Sequence, residues 1–354
     1  RHWRAPPPHD QASAAVCVQH PLQAFSRSYF ADDPRLSSYA GEIAEALNHR
    51  DARAPAFVSQ SLPEGAQGVV ELADLLAFWK SPSGYFCRRR LGMQLQMEAD
   101  IPQDQEPFVL DKLQEWALEQ EILRLQRQGV DAGQALAILG QQSLPPAGLG
   151  AVAYWRREPM VARFAQRLAE TLPAAAQAAD LDLLLGGYRL QGMLTGIGPT
   201  GLVLWQLSGL KAELWLRFWI LHLLAQRGVG PCPSRFLHRD GCSVLPALDG
   251  AVAEATLITL LDYFTQGQSF PLPFFPRTAM AYAESALQGS PPDPATLPAW
   301  RGSGRPGDGP PGEAEASAVR VAFRGRDPLQ DPFGEIALTV WGPLLALREQ
   351  PDEF

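Results

Sequence analysis

The side chains that could do chemistry are few, and their spacing excludes more than it allows. A phosphate-cradling loop needs Gly-Lys followed by Ser or Thr, and none of Lys80, Lys112 or Lys211 follows a glycine. The zinc spacings His-Glu-x-x-His and Cys-x-x-Cys are absent. Cys232 and Cys242 flank a candidate hairpin, where they read as two buried thiols in preference to a shared metal. His222 lies in an apolar run and reads as a satisfied core histidine. Ser208-Gly209 follows a strand pattern but lacks the first glycine of a nucleophile elbow. A metal-dependent nuclease places an Asp on one strand and a D/E-x-K pair on the next. The carboxylates hold the cation and the lysine orients water. The residues two positions before the lysines are Phe78, Leu110 and Gly209, so no D/E-x-K exists. The candidate strands Tyr188–Ile197 and 201–207 hold no carboxylate.

Phosphate contacts favour Arg and Lys. Three groups stand out: Arg88, Arg89 and Arg90 at a helix end; Arg156, Arg163 and Arg167 on one helix face beside Arg157; and Arg235, His238 and Arg239 around a hairpin turn. For each, a solvated surface is the competing reading. Trp79, Trp116, Trp205, Trp215 and Trp219 read as core rather than base-stacking platforms.

The elements that carry these residues follow from periodicity. Residues 1–20 are Pro- and Ala-rich, like the end of a linker, and 38–49 patterns as a helix with Tyr39, Ile43, Ala46 and Leu47 on one side. Leu72, Leu75, Leu76 and Trp79 recur at helical spacing, and Ser81-Pro82 starts a second helix. Helices are expected over 111–128, 131–139 and 150–171. Short runs at 181–185, 188–197 and 201–207, separated by Gly186-Gly187 and Gly198-Pro199-Thr200-Gly201, predict a β-meander. An apolar helix over 212–226 follows, then a hairpin through His238-Arg239-Asp240-Gly241, then helices over 250–267 and 277–287. Residues 289–316 are low in complexity and predict a mobile loop, and the apolar tail 318–349 should dock on the body.

The resulting organisation is a connecting region (1–68), a helical block (69–175), an α/β core (176–288), a flexible loop (289–316) and a docking C-terminal segment (317–354). This is an α+β class with one small mixed sheet.

Of 354 residues, 46% are hydrophobic and 19% charged, which excludes global disorder. The most apolar run contains Arg217 and His222 and is too short to span a membrane. Four cysteines make no disulfide framework, and a reducing cytosol is the simplest compartment. The first residue is Arg1 rather than Met, which reads as a piece of a longer chain. The net charge of −8 argues against holding nucleic acid by bulk charge. Its distribution is uneven. Residues 91–150 hold nine acids and three bases, whereas 151–240 hold ten bases and six acids. A polyanion would face the second segment and a basic partner the first.

The residues His20-Pro21-Leu22-Gln23-Ala24-Phe25-Ser26-Arg27-Ser28-Tyr29-Phe30 resemble a signature of the RecC family, the γ subunits of exonuclease V. Three further segments are similar in the same order. They are Phe78-Trp79-Lys80-Ser81-Pro82 with Tyr85 to Leu91, then Glu106-Pro107-Phe108-Val109-Leu110, then Phe323-Arg324-Gly325 through Phe333 to Trp341-Gly342-Pro343-Leu344-Leu345. The resemblance runs from about residue 16 to the end and implies the C-terminal third of such a subunit. It implies a degenerate PD-(D/E)xK nuclease (restriction endonuclease-like) fold, in which Thr195, Trp205 and Leu207 fall where active relatives carry Asp, Asp and Lys. It implies no catalytic or metal-binding residue and no cofactor in this chain, with ATP and Mg²⁺ held only by partner subunits. RecB-like and RecD-like subunits and double- and single-stranded DNA are the implied partners, and bacterial cytoplasm the implied location. Two other readings stand beside it. One is an active nuclease with a rearranged site drawing on Asp180, Asp182 or Glu213. The other is a pure interaction domain using the acidic helix 111–128.

Overall fold

A computed structural model describes residues 17–31, 33–48, 55–63, 68–95, 110–142, 144–146, 148–172, 177–303, 310–348 and 352–353. Residues 106–109 of one family-like segment, and most of the linker-like N-terminus, lie outside them. The chain divides into two compact units, Arg1–Pro55 and Ala56–Phe354.

In the first unit Ser26 caps a 3-10 turn over Arg27–Phe30, and helix α1 covers Gly41–Asn48. The helix starts later than its pattern suggested. Tyr39 precedes it and is exposed. Neither element buries a side chain.

The second unit opens with a short strand, β1 (Val69–Glu71), which the sequence reading missed, and then α2 (Leu72–Lys80). Three residues carry too little periodicity to register as a strand. Leu72, Leu75, Phe78 and Trp79 are buried, as their helical spacing requires. Ser81 Oγ accepts from the Gly84 N–H with Pro82 at the first helical position, starting α3 (Pro82–Tyr85). The helix then widens into a π turn over Phe86–Arg90.

Helices α4 (Lys112–Arg127), α5 (Ala132–Gln142) and α6 (Gly148–Thr171) follow. Asp111 and Gln114 close a capping box on α4. Next come β2 (Gln177–Leu185), β3 (Tyr188–Gly198), β4 (Gly201–Gln206), α7 (Ala212–Gly228), β5 (Ser234–His238) and β6 (Gly241–Leu245). Helices α8 (Gly250–Ser269) and α9 (Pro276–Leu287) complete the central region.

The described residues of 289–316 are not the irregular loop their composition suggested. They form a 3-10 turn (Pro294–Thr296), α10 (Pro298–Arg301), a bridge between Gly302 and Pro311, and a second 3-10 turn (Glu313–Glu315). Two anchors account for this: Trp300 packs on the Phe275 ring at 4.8 Å, and buried Glu313 caps α9. The tail forms α11 (Ser317–Ala322) and α12 (Phe333–Leu347), and α12 packs its apolar stripe on α9. A last strand, β7 (Asp352–Glu353), pairs with β6.

The architecture is α+β with one mixed sheet in the order β1-β3-β4-β5-β6-β7, β2 pairing along β3. The β1–β3 and β4–β5 pairs are parallel and the rest antiparallel. The expected meander is only partly realised. β2 and β3 pair along their length, but β3 and β4 share only Ile197↔Leu202 and Gly198↔Gly201. Beyond these β4 leaves β3 and runs parallel to β5. Gly196 and Gly201 allow this crowding. Both have positive φ, and a Cβ would overlap the Val203 carbonyl at Gly196 and the Pro233 carbonyl at Gly201.

Strand alternation sends side chains into two cores. Leu190, Leu194, Leu202 and Phe236 join α2, α7, α8, α9 and α12 in the larger one. Leu207 and Leu237 join α4, α5 and α6 in the other. Helix α7 is apolar nearly all round and accordingly buried on most sides. No described helix is long and apolar enough to cross a membrane.

Candidate functional site

Where β3 and β4 part, a cleft of about 830 Å³ opens, bordered by α4, α6 and α7. Thr195 on β3 and Trp205 on β4 both line it. Leu207, two residues further, is fully buried in the second core beneath the helical layer. The cleft floor is apolar, with Leu168, Leu172, Val203, Phe218 and Leu221. Its polar groups are Arg127 from the last turn of α4, Arg217 from α7, and Gln126, Gln177 and Gln206. The Arg127 guanidinium lies over the Trp205 ring, 5.2 Å from its centroid, and Trp205 leans on Phe164 at 6.3 Å. Trp205 is thus half-buried rather than core.

None of the described residues lining the cleft is Asp or Glu. Two guanidiniums, amides, a hydroxyl and aliphatic carbons make an anion-attracting pocket and a poor host for a divalent cation, which takes carboxylate and carbonyl oxygens. Asp180 and Asp182 are exposed on β2, and Glu213 is half-buried in the first turn of α7. Asp182 is taken by Arg189 through two bonds of 2.8 and 2.6 Å, which hold its carboxyl below the usual range. Among the described residues no three His, Cys, Asp or Glu side chains converge as a metal site.

The arginine groups are dispersed. Arg88 is exposed on the π turn, and Arg89 pairs with Asp74 at 2.8 Å. Arg90 is a fold staple, donating to the Gln268 and Pro63 carbonyls at 2.8 and 2.6 Å. Arg156 and Arg163 are exposed on α6, and Arg167 is half-buried. Arg157 sits between Glu115 and Glu119. Arg235 is half-buried on β5, while Arg239 at the hairpin turn donates to Glu119 at 3.0 Å. The turn therefore docks on α4 instead of protruding.

His238 is not the surface group that its place beside the hairpin turn suggested. It shares the inward face of β5 with Phe236 and is 1% exposed, its Nε2 3.1 Å from Ser243 Oγ, so it cannot reach a phosphate. Burial lowers its pKa, against the pull of Asp240. Trp116 departs from expectation in the other direction: it is 43% exposed on α4, with Leu113 beside it at 73%.

His222 is buried as expected, its Nδ1 2.8 Å from Ser234 Oγ, and burial pulls its pKa down to about 4. Cys232 packs against the larger core and Cys242 against the second, on opposite sides of the sheet, so the two do not share a metal.

Sequence reasoning missed Arg127 and Arg217 as site residues. Arg217 had a visible signal as a cation inside an apolar helix; Arg127 had none, since a terminal helical arginine is ordinary.

A model of the RecC C-terminal domain matches residues 67–287. The chain is 28% identical to the RecBCD enzyme subunit RecC of Escherichia coli (strain K12), over 70% of this chain and 22% of that protein. It is 30% identical to the RecC subunit of Mycobacterium tuberculosis (strain CDC 1551 / Oshkosh), over 95% of this chain and 34% of the relative. Against the RecC subunit of Mycolicibacterium smegmatis it is 29% identical, over 80% and 28%. It thus spans between 22% and 34% of the length of these relatives. With the family match covering more than half of its residues, the chain belongs to the RecC family, in the region of that family's C-terminal domain.

Proposed function

We propose that this chain is the non-catalytic, nuclease-like part of an exonuclease V γ subunit, which holds RecB-like and RecD-like subunits together and guides or splits DNA during double-strand break repair and recombination. The observation that carries the reading is the lining of the β3–β4 cleft. Thr195 and Trp205 border it, two arginines face it, and its described lining holds no carboxylate. On this reading the sheet and α7 keep the frame of a PD-(D/E)xK nuclease, while Leu207 occupies the place of the lysine. ATP and Mg²⁺ then belong to the partner subunits, and the complex works in the bacterial cytoplasm. Exposed Arg88, Arg156 and Arg163 are the surface cations best placed to meet phosphates.

The test is the full-length subunit, alone, on linear duplex with Mg²⁺. No cleavage is expected, together with salt-dependent DNA binding that weakens in an Arg88→Ala/Arg156→Ala/Arg163→Ala variant. Mg²⁺-dependent cleavage abolished by Thr195→Ala or Glu213→Ala would overturn the reading.

A second reading draws on the exposed apolar side chains. Leu113 and Trp116 on α4, and Val152 and Trp155 on α6, present large apolar groups to solvent beside the acids of α4. Such surface suits contact with a partner protein that is apolar and basic. If the chain only docks partners, the triple arginine variant leaves DNA binding unchanged, and Trp116→Ala weakens subunit assembly.

A further inference from the structure

We infer that the β3–β4 cleft is a strand-holding site, seating an unstacked base of single-stranded DNA on its apolar floor with the adjoining phosphates on Arg127 and Arg217. This deepens the reading that the chain handles DNA, and rests on it. Three features of the cleft point to this ligand. First, the volume of about 830 Å³ lies within the range that encloses small organic ligands, room for a nucleotide rather than a folded partner. Second, the charge is one-sided: two exposed guanidiniums meet no carboxylate among the described lining residues, so a polyanion is favoured. Third, the site combines aromatic and amide chemistry. Half-buried Trp205 offers part of its ring, and Gln177 and Gln206 offer donors and acceptors that a base edge can use.

The same geometry makes cutting unnecessary to the site's use. A groove that tracks phosphates with arginines and stacks bases on rings needs no metal. An acidic peptide would satisfy the arginines but makes less use of the rings and amides.

Photo-crosslinking tests the assignment. The full-length subunit carrying this sequence is mixed with oligo-dT containing 5-iodouracil, irradiated, and its peptides mapped by mass spectrometry. Crosslinks are expected on the peptide containing Trp205. They should fall roughly 10-fold or more in an Arg127→Ala/Arg217→Ala variant. Both arginines are exposed, so the variant should keep the wild-type circular dichroism and melting profile. Crosslinks confined to other peptides of the chain, or unchanged in the variant, would remove the cleft as a site while leaving DNA guiding intact. No crosslink anywhere on the chain would remove both readings. Preferential binding of a Glu- and Phe-rich peptide that needs the same two arginines would overturn the nucleic-acid assignment in favour of a protein ligand.

Discussion

Leu207 is held by packing on every side. It is fully buried among the second-core residues, which include Leu118, Leu123 and Phe164. A lysine there would have to bring its ammonium into an apolar layer or push the layer open. Leu207→Lys is therefore expected to cost roughly 3–5 kcal/mol in urea denaturation, far more than the same change at an exposed site. A loss under 1 kcal/mol would mean that the helical layer does not cover this position. His222 gives a second residue-scale expectation. Burial holds its folded pKa at about 4, below the ordinary 6.5, so the unfolded chain binds a proton in that window and the native state does not. Its contribution is thus fully present above pH 6.5 and declines as pH falls towards 4, by about 3 kcal/mol in total. His222→Asn should flatten that part of the stability–pH profile.

At the scale of elements, two buried carboxylates join segments that the chain order keeps apart. Glu313 accepts from the Thr278 N–H at 2.7 Å, the Thr278 hydroxyl at 2.6 Å and the Arg277 N–H at 3.1 Å. It caps α9 from a segment 35 residues downstream of Thr278. Glu313→Ala leaves those donors without their acceptor and should cost about 2–3 kcal/mol in thermal unfolding. Glu119 is the other joint. It is 6% exposed on α4 and meets Arg157 from α6 and Arg239 from the β5–β6 turn. Burial raises the pKa of both acids, and the neighbouring arginines only partly offset this for Glu119. Each therefore contributes most stability below its unfolded pKa and loses some as pH rises through the folded one. Glu119→Ala should cost about 2–3 kcal/mol, because it removes one of the two carboxylates on the nearly buried Arg157 and the partner of Arg239 together. Arg239→Ala should cost less, since Arg239 is 39% exposed. Comparable losses from the two variants would contradict this ordering.

For the whole molecule, the net charge of −8 means that the proposed DNA contacts must come from local cations working against the overall field. The slope of log K against log salt for single-stranded DNA should shrink by about 0.7 for each contacting arginine removed. Arg88→Ala and Arg163→Ala are suited to this measurement because both side chains are exposed. His238→Ala should leave the slope unchanged because His238 is buried. A changed slope for His238→Ala would mean that the hairpin opens on DNA. Much of this architecture was legible in the residue order. Helical spacing located α2, α4, α6, α7 and α8 to within a few residues, and Ser81-Pro82 marked the start of α3. The missing D/E-x-K and the carboxylate-free strands were likewise plain, because they depend only on residue identity and local spacing. Position in space was not legible. Periodicity reports which face of an element is apolar, but not which neighbour covers it. Thus His238 and Arg239, adjacent in sequence, separate into core and surface, and Trp116 turns outward. The cleft likewise exists only because β4 abandons β3 for β5, which brings Arg127, Thr195, Trp205 and Arg217 around one opening. Those residues span 90 positions of chain, and their approach is decided by strand pairing and by helices packing across the sheet. Local sequence order determined the elements and the absence of D/E-x-K, since both depend on neighbours along the chain; tertiary packing alone decided which side chains line the cleft.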